Sequence, residues 1–175
     1  AIETAATTIT ADTTNGNIDL DNTLISATTV STITTGTGDI LFSQLGGGAL
    51  TVTLATTSSG NIGINTVGAD MTLVTVTAGT SGNITLTTTT SGDIYVDNIT
   101  AAGDTIIITS IGKIEEKATV DVEIDITAAT LDLNAVTGIG LVNGAIETAA
   151  TTITADTTNG NIDLDNTLIS ATTVS

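Results

Sequence analysis

Apolar and polar residues alternate along this chain in short runs. Ile18 and Leu20, Ile40 and Phe42, Ile62 and Ile64, Ile84 and Leu86, and Ile94 and Val96 each sit two apart behind a glycine and an Asn or Asp. Leu50, Val52 and Leu54 form a second kind of run, matched by Met71, Leu73, Val74 and Val76. A third comprises Ile106 and Ile108, then Val120, Val122, Ile124 and Ile126. A period of two predicts β-strands that bury one face. No stretch shows helical spacing with caps, so the chain is expected to be all-β.

The punctuation between runs is regular. Gly-Asx-Ile occurs at Gly16-Asn17-Ile18, Gly38-Asp39-Ile40, Gly60-Asn61-Ile62 and Gly82-Asn83-Ile84, at one constant step (38 − 16 = 60 − 38 = 82 − 60 = 22). Glycine and Asx mark corners, where a positive φ costs them least. Gly16, Gly38, Gly60 and Gly82, with the inward residues Ile18, Ile40, Ile62 and Ile84, are the predicted structural positions. A longer period encloses this one. The segment from Ala1 to Ser31 returns letter for letter from Ala145 to Ser175, an offset of 145 − 1 = 144. Residues 1–144 are therefore expected to be one tandem repeat and 145–175 the start of the next.

Units of this length belong to solenoids. The expected fold is a parallel β-helix (β-solenoid) with about seven coils of about 21 residues per repeat, advancing roughly 34 Å at about 4.8 Å per coil. A β-sandwich of hairpins would need Asn-Gly turns between neighbouring strands. Within one period only Asn15-Gly16 and Asn143-Gly144 supply that dipeptide. Neither end carries a helix, a proline or a charged cap of the kind that closes solenoids, so the fold is expected to continue past both.

Composition narrows the function. Phe42 and Tyr95 are the only aromatic residues, so the core must be narrow and aliphatic. Nineteen carboxylates against Lys113 and Lys117 give a net charge of −17. Such a surface repels nucleic acid and anionic lipid, whose binding depends on Lys and Arg. No apolar run is long enough for a spanning helix, so membrane insertion is not expected. Without His or Cys, Ser–His–Asp triads, Cys–His pairs and His-bearing zinc sites are excluded. Two carboxylates alone can serve a glycosidase, but alternating acids form such pairs by accident, and no enzyme is expected.

The stretch LDLNAVTGIGLVNGAIETAATTITADTTNGNIDLDNTLISATTV, from Leu131 onward, resembles the repeats of filamentous-haemagglutinin-like bacterial exoproteins, as do GDTIIITSIGKI and GNITLTTTTSGDIYVDNITAAGD. The resemblance covers essentially the whole chain. It implies a right-handed parallel β-helix, secretion, and service as an adhesin or surface fibre.

Candidate sites are few. Asn15, Asn17, Asp19 and Asp21 alternate with Gly16, Ile18 and Leu20, which predicts a row of oxygens on one outward face. Asp121, Glu123 and Asp125 are expected to do the same opposite Val122, Ile124 and Ile126, with Glu115 and Glu116 nearby. These rows are the candidate Ca²⁺ ligands, since Ca²⁺ takes six to eight such oxygens; a solvated outer face is the plainer expectation, and no cofactor is required. Lys113 and Lys117 are expected to pair locally with Glu115 and Glu116. The rows Thr85, Thr87, Thr89 and Thr51, Thr53 resemble ice-binding faces, although β-propensity alone accounts for them. Asn83-Ile84-Thr85 and Asn98-Ile99-Thr100 are N-glycosylation sequons. The expected role is a structural repeat of an extracellular or cell-surface fibre whose partner is itself, end to end or in lateral bundles. A stalk for a secreted adhesin that binds host cells or glycans is the alternative.

Overall fold

The computed structural model describes residues 1–117, 123–140, 142, 144–168 and 172–174. Among these there is no helix, and every strand belongs to one 17-stranded sheet with parallel pairings. Each turn of the chain stacks on the next. Starting from Ile2, the column of stacked partners runs through Leu20, Phe42, Ile64, Leu86, Ile108, Leu133 and Ala155, seven turns in all. From Leu20 to Ile108 the partners are evenly spaced along the chain (42 − 20 = 64 − 42 = 86 − 64 = 108 − 86 = 22). This is the β-solenoid expected from the Gly-Asx-Ile spacing.

The solenoid has three faces. Face 1 holds the strands Ile18–Asn22, Ile40–Gln44, Ile62–Val67 and Ile84–Thr89. The strands Thr28–Thr35, Leu50–Thr57 and Met71–Ala78 cover faces 2 and 3 together. Their alternation reverses midway: Leu50 and Val52 point inward, then Ala55 and Thr57 do, with Thr53 and Leu54 both outward. Two successive outward residues turn the chain without a loop. Leu54, grouped above with the inward residues of its run, therefore sits at the corner, and Ala55 takes the buried place. One turn later the corner separates the strand Ile94–Val96 from the strand Asn98–Ser110.

The interior is a set of like-on-like aliphatic columns. Ile40, Ile62, Ile84 and Ile106 stack on face 1, Val30, Val52 and Leu73 on face 2, and Ile33, Ala55, Val76, Ile99 and Ile126 on face 3. All are essentially sealed from water. Each such Ile, Leu or Val contributes about 1.5–3 kcal/mol by burial. The one buried aromatic, Phe42, shares its turn with the small Ala55, so the narrow core stays filled.

The corner glycines serve a purpose other than the one spacing suggested. Positive φ values occur at Gly47, Gly68, Gly92, Gly103, Gly138, Gly140 and Gly144, but not at Gly16, Gly38, Gly60 or Gly82. Instead these corners stack tightly on one another. A Cβ on Gly38 would overlap the carbonyl oxygen of Gly16, one on Gly60 that of Gly38, and one on Gly82 that of Gly60. Thr13 and Thr57 add a bond within the corner, each accepting from the glycine three residues on: Gly16 N to Thr13 Oγ1 at 2.8 Å and Gly60 N to Thr57 Oγ1 at 2.9 Å.

The described part of the run Val120 to Ile126, from Glu123 on, does not alternate: Glu123 and Ile124 are exposed, and Asp125 and Ile126 are both buried. Residues 118–122 lie outside the described ones, Ile124 is exposed, and the strand Ile126–Ala135 begins only at Ile126. The turn that contains this segment is longer than those before it, since Ile108 pairs with Leu133 (133 − 108 = 25).

Gly60→Ala is expected to lower unfolding free energy by about 2 kcal/mol or more, because the clash is with backbone. Gly63→Ala, whose added Cβ presses only on the flexible Leu41 Cδ2 at 2.9 Å and touches Ile40 O at an ordinary 4.0 Å, is expected to change it by less than about 1 kcal/mol. Denaturant melts of the two variants compare them.

Candidate functional site

Asx side chains at the corners bind the turn above them. Asn17 Oδ1 accepts from Asp39 N at 3.0 Å, Asp39 Oδ1 from Asn61 N at 2.8 Å, Asn61 Oδ1 from Asn83 N at 2.9 Å, and Asn83 Oδ1 from Thr105 N at 3.0 Å. A second ladder runs from Asp70 to Asp93 N at 2.9 Å and from Asp93 Oδ1 to Lys113 N at 2.8 Å. Each bond satisfies a backbone N–H that the corner would otherwise leave to water. The Asx of the Gly-Asx-Ile signature is thus a clamp between turns. Its regular repetition was visible in the sequence, but its bonding partner was not.

The inward corner between faces 1 and 2 is polar. Asn22 is fully buried and donates to Ala6 O, Thr28 Oγ1 and Gln44 Oε1 at 3.1, 2.8 and 2.8 Å, while its Oδ1 accepts from Ala6 N at 2.9 Å. Gln44 continues the column to Leu24 O at 2.7 Å. Thr88 and Ser110 close later turns by donating to Gly92 O, both at 3.0 Å. The repeated residue Asn166 makes the equivalent bonds to Ala150 and Thr172.

Acidic groups gather on face 2 and its flank. Lys113 Nζ lies 3.7 Å from Asp93 Oδ2 and 3.9 Å from Glu115 Oε1. Lys117 pairs at 2.8 Å with Asp97 in the preceding turn, and not with Glu116 beside it in sequence. Tyr95 faces the same carboxylates. Its phenol is raised above its ordinary pKa, first by burial and then by the charges of Asp93 and Asp70, the hydrogen bond to Asp93 and the charge of Glu115.

One group of carboxylates converges among the described residues. Oxygens of Glu116, Asp125 and Glu147 lie within 4.8 Å of one another. Asp125, expected on an outward face with Asp121 and Glu123, is buried instead, as are Glu115 and Glu116. The cause is the next turn: Asp125 N donates to Glu147 O at 2.9 Å, Glu147 N donates to Asp125 Oδ2 at 3.1 Å, and Val142 N donates to Glu115 Oε2 at 2.9 Å. Glu123 is exposed, and Asp121 lies outside the described residues. Glu116 and Glu147 were not sequence candidates for one site, because they stand far apart along the chain and at no multiple of the turn length. Taken at one oxygen each, the three carboxylates suit Ca²⁺ in kind and supply three of the six to eight oxygens it takes.

The other candidates do not converge. Asn15, Asn17 and Asp19 are exposed and Asp21 half-buried, with Asn17 engaged in the ladder and Asn15 accepting weakly from Thr37 Oγ1 at 3.4 Å. Thr85 and Thr87 stack on Gly63 and Asn65, so that row is no threonine ladder. A continuous one exists on face 3, where Thr34, Thr56, Thr77, Thr100 and Thr127 stand over one another. Thr51 stacks between Thr29 and Thr72 on face 2. Of the sequon residues, Asn83 belongs to the clamp ladder, and Asn98 is exposed with Thr100 donating to its Oδ1 at 3.2 Å. A shallow notch of about 440 Å³ on face 1, lined by Leu41, Asn61, Ile62, Gly63, Asn83 and Thr85, contains no titratable side chain.

Two outcomes follow from these charges. The single tyrosine, in a chain with no tryptophan, makes phenolate absorbance a clean probe. Tyr95 is expected to titrate above the ordinary value of about 10, and Asp93→Asn is expected to bring it down. Because the folded pKa is the higher one, stability is unaffected below about pH 10 and falls as pH rises from the unfolded towards the folded value. Glu147→Gln removes one of three clustered carboxylates. In chelator-treated buffer it is expected to raise unfolding free energy by about 1 kcal/mol, and an unchanged or lower melting midpoint would contradict that.

Comparison with known proteins found no matching family model, no matching curated protein and no matching solved structure.

Proposed function

We propose that this chain is a structural repeat of an extracellular or cell-surface fibre, in which 144-residue units continue one another as a single β-solenoid rod. The observation that carries the reading is the letter-for-letter return of residues 1–31 at 145–175, combined with a fold in which any turn can accept another. In such a rod, stability is a sum of contacts between neighbouring turns. An added repeat lengthens the rod and poses no new folding problem. The role is mechanical, no catalytic step is assigned to it, and no cofactor is needed. The net charge of −17 keeps the rod soluble through self-repulsion and disfavours nucleic acid and anionic membranes as partners.

The functional surface of a rod is its length. The outward columns of Thr, Asn and Asp provide hydrogen-bonding groups repeated every turn, and the notch on face 1 is lined by no titratable side chain. This favours a spacer or sheath element over a receptor-recognition tip. An adhesin stalk has the same architecture but presents a binding region elsewhere, so it differs from the rod in what an isolated repeat binds.

Chains with increasing numbers of repeats are expected to form rods of constant width in electron micrographs, each repeat adding roughly 32–34 Å. Compact particles whose length does not grow with repeat number would sink the reading. A glycan or cell-binding signal from the isolated repeat would favour the adhesin alternative.

A further inference from the structure

The two copies of the repeated segment occupy different faces of the solenoid. Ile2 pairs with Leu20 on face 1, whereas its copy Ile146 heads the strand whose Thr148 pairs with Ile126 on face 3. Ile9 pairs with Val30 on face 2, and its copy Ile153 pairs with Leu131 on face 1. Asn22 and Asn166 move from face 1 to face 3, and Val30 and Val174 from face 2 to face 1. Every one of these markers steps back by one face.

Between the markers the segment bends at different places. In the first copy it bends at the register shift between Ile9 and Thr10, and Ile18–Asn22 then lies flat on face 1. In the second, Thr152 to Thr157 lies flat on face 1, and the bend falls between Ile162, bridged to Ile139, and Leu164, paired with Ile146. Both copies traverse four faces from first strand to last, so the displacement is the same at both ends. The hydrogen bonds of Asn22 to Ala6 and Thr28 recur at Asn166 with Ala150 and Thr172. The bonds at this corner repeat while its place around the axis does not; between the markers, where the bends differ, Ala11 on face 3 has its copy Ala155 on face 1, and Ile18 on face 1 has its copy Ile162 on face 2.

Counted along the chain, Ile2 to Ile146 crosses twenty faces: six full turns and two faces more. We propose that consecutive repeats are related by a screw of two-thirds of a turn, about 240°, with an advance of about 32 Å at about 4.8 Å per turn. Twenty is not a multiple of three, so one repeat cannot bring a side chain back to its own face. Three repeats, sixty faces or twenty turns, do so after about 96 Å. Outward features of the repeat, among them Tyr95 with its acidic neighbours, would then appear on each side of the rod in succession. A second rod lying alongside meets the same surface from any of three directions, which suits packing on all sides over pairing along one.

The consequence for rods rests on the array reading, but the phase is a property of this chain and is testable in it. The chain lacks cysteine, and Thr7, Thr14 and Thr151 are exposed at corners. Thr151 lies at the corner between faces 3 and 1, the corner that holds Thr14, while Thr7 lies between faces 1 and 2. Spin labels on Thr14→Cys/Thr151→Cys are expected to be separated by the axial distance alone, roughly 29 Å for six turns. The equivalent pair, Thr7→Cys/Thr151→Cys, is expected to be further apart, since a sideways offset adds to a longer axial separation. The reverse order, or equal distances, overturns the screw. Neither distance depends on filaments forming, so a chain that fails to make rods removes the array reading and leaves this result to stand or fall separately.

Discussion

Everything in this molecule answers to one constraint: parallel turns must stack at about 4.8 Å through their backbone hydrogen bonds. The spacing is shorter than most side chains are wide. Each residue is therefore judged first by what lies directly above and below it, and only then by its neighbours in sequence. Inside, the answer is a column of like shapes, such as Ile40, Ile62, Ile84 and Ile106. At the corners it is glycine on glycine, because any Cβ there would enter the carbonyl of the turn beneath.

The same spacing controls where polar groups stand. A backbone N–H at a corner has no ladder partner within its own turn, and an Asx side chain one turn below is placed to accept from it. That is why Asn and Asp recur directly after the corner glycines, and why Asn17, Asp39, Asn61 and Asn83 form one continuous clamp. The buried Asn22 and Gln44 solve the corresponding problem on the inner side of a corner. A buried amide is costly unless its bonds are made, and here they are made to backbone groups that the turn leaves unpaired.

Much of this was legible before any coordinates. Period-two alternation gave the strands, and the evenly spaced glycines gave the turn. What escaped was whatever depends on the third dimension of the stack. Leu54 looked inward because alternation was followed through a corner, where two outward residues reverse the phase. Asp125 looked outward for the same reason, although the longer turn around it lets Glu147 cover it. The corner glycines looked like left-handed positions, since local conformation is the usual reason for glycine and a carbonyl one full turn away leaves no local trace. The convergence of Glu116, Asp125 and Glu147 was hidden by unequal separations that only the stacking register brings together.

Charge shows how far the stacking constraint reaches. With nineteen acids and two lysines, random placement would stack many carboxylates at close range, at a cost that salt only partly screens. The outward columns largely interleave acids with neutral residues instead: Asp19 stands under Leu41, Asp21 under Ser43, Asp12 under Thr34, and Asp132 between Ile107 and Thr154. Asp39 in the clamp ladder has Asn on either side. Where Asp93 does follow Asp70, Lys113 occupies the next rung, and the second lysine, Lys117, reaches back to Asp97. Both cations thus sit close to where acids crowd. Glu3 under Asp21 and its copy Glu147 under Asp165 remain as like-charge steps. Both belong to the repeated segment, so this repulsion recurs wherever that segment does, and Glu147 adds it to the carboxylates it already shares with Glu116 and Asp125. These like-charge steps lie within the repeated segment, while the aliphatic column from Leu131 to Ile153 runs on beside the second of them.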